Sequence, residues 1–216
     1  RKEISDFMAR LSRFFKRYGQ EGLSPERQRG LLGELWWLRR MIEAGIPDFT
    51  ALESWKGCER GFHDFDINGY VVEVKTTMTK EPRKVQISNE RQLDERGLNC
   101  LHLFAATLKR HESGWLSLPE LVGSLRDIFS GKGISYKFEH LLTEAGYLDL
   151  HSHMYRGSYT VIMEELFWIR DGFPKITDLP KGTGDLHYSI VLGACDSFKC
   201  DIHEYLKTIK EFLHAD

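Results

Sequence analysis

The stretch from His63 to Thr77, His-Asp-Phe-Asp-Ile-Asn-Gly-Tyr-Val-Val-Glu-Val-Lys-Thr-Thr, limits the fold more than any other part of the chain. Asn68-Gly69 between two alternating apolar runs is the strongest short-range signal for a two-residue hairpin with a type I′ turn. That turn fixes the register: Ile67 faces Tyr70, Asp66 faces Val71, Phe65 faces Val72 and Asp64 faces Glu73. Opposite side chains of an antiparallel pair share a face, with Cβ atoms about 5 Å apart. Lys75 lies two residues past Glu73 and projects from the same face roughly 7 Å further along. One face therefore carries Asp64, Asp66, Val71, Glu73 and Lys75, and the other Phe65, Ile67, Val72 and Val74.

Carboxylates held side by side repel unless a cation or a proton sits between them. Their oxygens suit a hard divalent ion such as Mg²⁺ or Mn²⁺. A lysine beside such an ion can steady charge on a phosphate or polarise an attacking water. Asp66 is the rival first carboxylate, although the register sets it opposite Val71, a step further from Glu73. The plainer alternative is a solvated polar strand face. Val71, Val72 and Val74 speak against it, because they indicate a strand buried on both sides.

The flanking sequence supplies helices. Residues 3–18 place Ile4, Phe7, Met8, Leu11, Phe14 and Phe15 at helical spacing. The basic opposite face (Arg10, Arg13, Lys16, Arg17) is a solvated surface or a contact for a phosphate backbone. A second helix begins at Ser24-Pro25, an N-cap with proline at the first helical position, and runs to about Ala44 before Gly45. Glu34 falls within its apolar stripe, where a carboxylate is costly without a compensating positive charge. Arg39, Arg40 or a core hydrogen-bond donor could supply that compensation. Residues 50–56 read as a first strand, with Leu52 and Trp55 buried. Lys84 to Ile87 read as another, and Ser88 as the cap of a helix reaching Glu95. Asn99 to Leu108 form a strongly apolar strand. Further on, Ser117 caps a helix through Phe129, and a second helix spans 135–145. Residues 159–170 and 185–194 have strand patterns, and 201–213 read as a terminal helix. His151 and His153 lack a third ligand nearby and read as surface residues. Lys181-Gly182-Thr183-Gly184 lacks the spacing of a phosphate-binding loop.

With Asp64 followed by Glu73-Val74-Lys75, the chain resembles the PD-(D/E)XK nuclease superfamily, and more narrowly a bacterial family known as "PD-(D/E)XK motif protein", found near restriction and phage-defence genes. Gly33-Glu34-Leu35, Trp55, His63-Asp64-Phe65, Glu73-Val74-Lys75-Thr76-Thr77 and Ile87-Ser88 with Gln92-Leu93 carry the likeness; Phe173-Pro174, Tyr188 and Cys195 extend it more loosely. The resemblance implies an α/β fold: a restriction-endonuclease-like α-β-β-β-α-β core with a mixed sheet flanked by helices. That core would span 23–110, after an N-terminal helix over 1–22 and before a C-terminal α+β extension over 111–216. It implies Asp64, Glu73 and Lys75 as catalytic residues. Glu34, Asp64, Glu73 and the Val74 carbonyl would hold Mg²⁺, with Mn²⁺ as substitute. Gln92, Ser88 and Thr76 would face the substrate.

The implied activity is metal-dependent endonucleolytic hydrolysis of DNA in a restriction or anti-phage system. The alternative is a silent DNA- or partner-binding subunit that keeps the fold, and RNA or modified DNA as substrate stays open. A homodimer or other defence-system subunits are the expected partners besides DNA. Composition adds limits. The net charge of −2 excludes a globally basic nucleic-acid binder, so any DNA contact needs a local patch or a partner subunit that supplies the affinity. A hydrophobic fraction of 41% supports a sizeable core. Four scattered cysteines form no zinc or disulfide pattern and read as reduced thiols. No apolar run reaches membrane-span length and no signal peptide is visible, so a cytoplasmic location is expected.

Overall fold

The computed structural model describes residues 22–57, 63–78 and 80–215 of the 216-residue chain. The helix expected over 3–18 lies outside the described residues, as does Cys58. The first described helix, α1 (Pro25–Glu43), starts where the sequence places it, with Ser24 Oγ accepting a hydrogen bond from the Arg27 amide. Its buried stripe of Leu31, Leu32, Leu35, Trp37, Leu38 and Met41 faces the core.

The segment expected as a strand over 50–56 is instead a short helix, α2 (Asp48–Ser54). Ala51, Leu52 and Trp55 are buried at helical spacing. What remains of strand pairing at Trp55 is an isolated bridge to Phe65. The hairpin follows as β1 (Phe65–Ile67) and β2 (Tyr70–Met78), paired in the register read from the sequence. Asn68 and Gly69 hold φ +50° and +84°, which is why this dipeptide turns the chain.

The remaining strands are β3 (Lys84–Ile87), β4 (Cys100–His111), β5 (Leu116–Ser117), β6 (Ser158–Ile169), β7 (Tyr188–Val191) and β8 (Lys199–Cys200). The main sheet has the order β1-β2-β4-β6-β5, with β8 also on β6. It is mixed, because β2 and β4 run parallel while β4 and β6 run antiparallel. β3 leaves this sheet and pairs with β7 in a separate two-stranded one. The helix expected after Ser88 reduces to a single 3₁₀ turn, Glu90–Leu93. Its cap is Asn89, whose side chain accepts from the Arg91 and Gln92 amides. The boundary expected at 110 falls inside β4, and β6 of the second half is hydrogen-bonded into the same sheet.

Helices α3 (Leu118–Phe129), α4 (Ser135–Glu144) and α5 (Ile202–Ala215) lie close to their expected bounds. A capping box between Ser117 and Glu120 fixes the start of α3. The His151-Ser152-His153 run sits in a 3₁₀ turn, and His151 is buried rather than superficial.

β4 explains the layering. Phe104, Ala106 and Leu108 share one core with residues of all five described helices, including Leu35, Leu52, Leu121, Leu141 and Leu206. Leu101, Leu103 and Ala105 point the other way, into a smaller core with Val85, Ile87, Ile190 and Leu192. A strand covered on both faces reads as a continuous apolar run, as this one does. Among the described residues no helix is long and apolar enough to cross a membrane.

α1 approaches β2 tightly at Gly33. A Cβ on Gly33 would stand 2.5 Å from Thr76 Cγ2 and 3.3 Å from Val74 Cγ1. Gly33→Ala is therefore expected to lose more through overpacking, about 1–3 kcal/mol, than the roughly 1 kcal/mol it gains in helix propensity. A thermal melt that rises instead of falling would show that the helix does not approach β2 so closely.

Candidate metal centre

The site forms at the β1 edge of β2, one step past the last paired residues Phe65 and Val72. Asp64 is held there by its backbone and its side chain. Its carbonyl accepts from the Lys56 and Gly57 amides at 2.7 and 3.1 Å. Its Oδ2 accepts from the Val74 amide at 2.8 Å. The N–H and C=O of one strand residue point to the same side, so the Val74 carbonyl also faces this edge.

Glu34 reaches the same place from α1, with its Oε2 accepting from Trp55 Nε1 at 2.7 Å. Gly57 shows how near Glu34 and Asp64 come. The position of a Cβ on Gly57 lies 2.6 Å from Asp64 Oδ1 and 3.1 Å from Glu34 Oε2. A larger residue at 57 would occupy the cradle between these oxygens. Glu73 is the most enclosed of the three carboxylates, at 1% exposure, while Glu34 and Asp64 keep partial solvent contact. Lys75 Nζ stands 2.6 Å from Glu73 Oε1, an ion-pair distance. Oε1 has no other partner among the described residues.

Three carboxylates against one ammonium leave an excess of negative charge in a poorly solvated place. Burial, then the charges of Asp64 and Glu73, push Glu34 up to about 8 against the opposing Trp55 hydrogen bond and Lys75. Burial and the Asp64 charge likewise push Glu73 up to about 8, against Lys75. Asp64 is raised by burial, with Lys75 and the Val74 amide pulling the other way. Burial disfavours the Lys75 ammonium, but Glu73, Asp64 and Glu34 outweigh it and hold its pKa above the ordinary lysine value.

The donor set fits a hard divalent ion: three carboxylates, a carbonyl on the same edge, a buried carboxylate oxygen met by the Lys75 ammonium alone among the described residues, and unbalanced negative charge. Among the described residues no three Asp, Glu, His or Cys side chains already stand in a ligating arrangement. In its place the Lys75 ammonium lies against Glu73.

The other residues singled out by the sequence are placed differently. Asp66 is exposed, and its Oδ1 accepts from the Gly69 amide, so it serves the turn. The Thr76 side chain lies on the α1 side of β2, opposite Glu73 and Lys75. Gln92 Oε1 accepts from the Ser88 amide at 2.8 Å, and the two residues close their own loop. The sequence left unassigned the roles of Trp55 and Gly57, which position Glu34 and leave room beside it. Their signal was only a tryptophan and a glycine two residues apart, just before the motif.

The comparison with curated proteins gives no match, and neither does the comparison with solved structures. The comparison with protein families gives one over residues 1–193, described as "Putative PD-(D/E)XK family member, (DUF4420)". A mixed sheet flanked by helices, with Asp64, Glu73 and Lys75 gathered on the β1–β2 hairpin, agrees with that fold. The chain belongs to this PD-(D/E)XK family.

Proposed function

We propose that the protein is a metal-dependent nuclease that hydrolyses phosphodiester bonds of DNA. The observation that carries the reading is the cluster of Glu34, Asp64 and Glu73 around one lysine, with more negative charge than Lys75 can balance. Asp64 and Glu73, joined by Glu34 and the Val74 carbonyl, would hold Mg²⁺ or Mn²⁺. When bound, such an ion lowers the pKa of a coordinated water and neutralises charge on the scissile phosphate. Lys75, kept cationic by its three acidic neighbours, donates to the attacking water or to a non-bridging phosphate oxygen and stabilises the charge that develops there. Trp55 fixes Glu34, and the Val74 amide fixes Asp64, so neither carboxylate has to be ordered during the reaction. A role in restriction or anti-phage defence, with a homodimer or other subunits as partners, rests on the resemblance of the sequence alone.

One observation favours a second reading, a subunit that keeps the fold without cutting. Lys75 already lies against Glu73 where a cation is needed. Incubation of plasmid and linear DNA with Mg²⁺ or Mn²⁺ separates the two. Cutting is expected, and Lys75→Ala is expected to slow it on the order of a hundredfold or more. Absence of metal-dependent cutting by the wild type, with no metal bound in a calorimetric titration, would leave the silent subunit.

A further inference from the structure

A cleft of about 440 Å³ opens beside Asp64, lined among others by Lys56, His63, Arg91, Arg96 and Leu98. Lys56 and His63 flank the carboxylate site directly, since the Lys56 amide holds the Asp64 carbonyl and His63 precedes Asp64 in the chain. A second cleft of about 720 Å³ shares Leu98 and continues along Asn99 to Trp168, Arg170 and Phe198. The two clefts meet at Leu98 and together reach from Lys56 and His63, the neighbours of Asp64, to the far end of β6.

The far end of this groove is an aromatic platform. Trp168 is 42% exposed. The Arg170 guanidinium lies over the Trp168 and Phe198 rings, 4.9 and 5.7 Å from their centroids. Unpaired bases stack on such rings and on guanidinium planes, whereas the bases of a duplex have their faces covered by one another. The near end offers cations and the His63 ring. His63 donates to the Arg91 backbone through one ring nitrogen. The other, Nε2, has no hydrogen bond among the described residues and is left as an acceptor. The lining sets four acids against its cations: Asp66 holds the Gly69 amide, Asp94 holds Arg96, Glu95 pairs with Lys175, and Asp171 is exposed beside Arg170. Charge along the groove is therefore nearly balanced, and stacking has to supply most of the affinity.

We propose that this groove binds a single-stranded stretch of nucleic acid, leading it from the carboxylate site past Lys56 and Arg91 to the stacking platform at Trp168 and Arg170. The path depends on the nuclease reading only for what happens at its near end. A substrate with an unpaired strand or tail would then be preferred over a blunt duplex.

The test is fluorescence anisotropy of the whole chain with labelled DNA in EDTA, where no cleavage occurs. A single-stranded oligonucleotide is expected to bind about tenfold more tightly than a blunt duplex of equal length. Trp168→Ala is expected to weaken the single strand about tenfold and leave the duplex unchanged, and Trp168→Phe to restore most of the loss. Because Trp168 is partly exposed, its alanine variant should melt normally. Arg91→Ala should reduce the steepness of the salt dependence by about 0.7 in log–log slope. An equal or stronger affinity for the duplex, or a Trp168→Ala variant that binds the single strand like wild type, would overturn the proposal. Parallel single-stranded RNA tells which sugar the groove accepts, and tighter binding of either strand over its duplex supports the groove. Stacking-dependent binding without any cleavage would keep the groove and sink the nuclease. Duplex cutting without single-strand preference would do the reverse.

Discussion

In EDTA the protein is expected to be less stable at pH 8.5 than at pH 6.5, and millimolar Mn²⁺ or Mg²⁺ is expected to reverse that order. Glu34 and Glu73 are pushed to about 8 in the folded protein, against about 4.3 for a free glutamate. Between those values the folded state keeps protons that the unfolded state has lost. Stability therefore falls as pH rises through this window. The contribution is fully present below the unfolded value and gone above about 8. Across 6.5 to 8 the loss amounts to about 2 kcal/mol from Glu73, and less from Glu34, whose carboxyl keeps some contact with solvent. For a chain of this length that is roughly 5 °C in melting temperature. The lower limit is set by His102, buried and lowered to about 4. It stays neutral while the unfolded chain takes up a proton, so below pH 6.5 stability falls again for a separate reason.

A divalent ion needs the ionised carboxylates, so it stabilises weakly at pH 6.5 and strongly at 8.5. Glu73→Gln removes one of the titrating groups and one of the ligands together. The variant should show a flatter pH profile in EDTA and little response to metal. Identical melting at both pH values in EDTA, or an undiminished metal response in Glu73→Gln, would show that the carboxylates are not held as the geometry indicates. This measurement also bears on the silent-subunit reading, because it detects metal without asking for cleavage.

The hairpin was legible in the sequence because its information is local. Asn68-Gly69 dictates a turn of known geometry, and the alternation of apolar residues then sets every facing pair through Phe65–Val72. The helix caps at Ser24 and Ser117 are equally local. What was not legible depends on partners far along the chain. Residues 48–55 carry too few apolar positions to separate a period of two from one of 3.6, and packing beneath the hairpin decides for a helix. β3 has an ordinary strand pattern, but nothing in Lys84–Ile87 says that its partner is Tyr188–Val191. The inward position of Glu34 followed from helical spacing alone. That Trp55 would hold it could not, because the bond joins two elements whose separation in space the sequence does not encode. The groove from Lys56 to Trp168 is the extreme case, assembled from four separate segments.

The hairpin places two aspartates two residues apart on one face, and only one is expected to matter for catalysis. Asp64 Oδ2 is tied to the Val74 amide, and its other oxygen lies beside Glu34 at the Gly57 cradle. Asp66 is exposed on the turn and spends its side chain on the Gly69 amide. Asp64→Asn keeps the shape and an acceptor for the Val74 amide but removes the charge that a divalent ion requires. Cleavage is expected to fall on the order of a thousandfold, together with most of the stabilisation by metal at pH 8.5. Asp66→Asn keeps an acceptor for the Gly69 amide and should cut within about threefold of wild type, since the turn bond of an exposed side chain is worth only about 1 kcal/mol. Kinetics of both variants at saturating Mn²⁺ give the answer. If Asp66→Asn were the dead variant and Asp64→Asn the active one, the ion would have to sit on the exposed side of the turn. Neither Glu34 nor the buried Glu73 would then explain the charge gathered at this edge of the sheet.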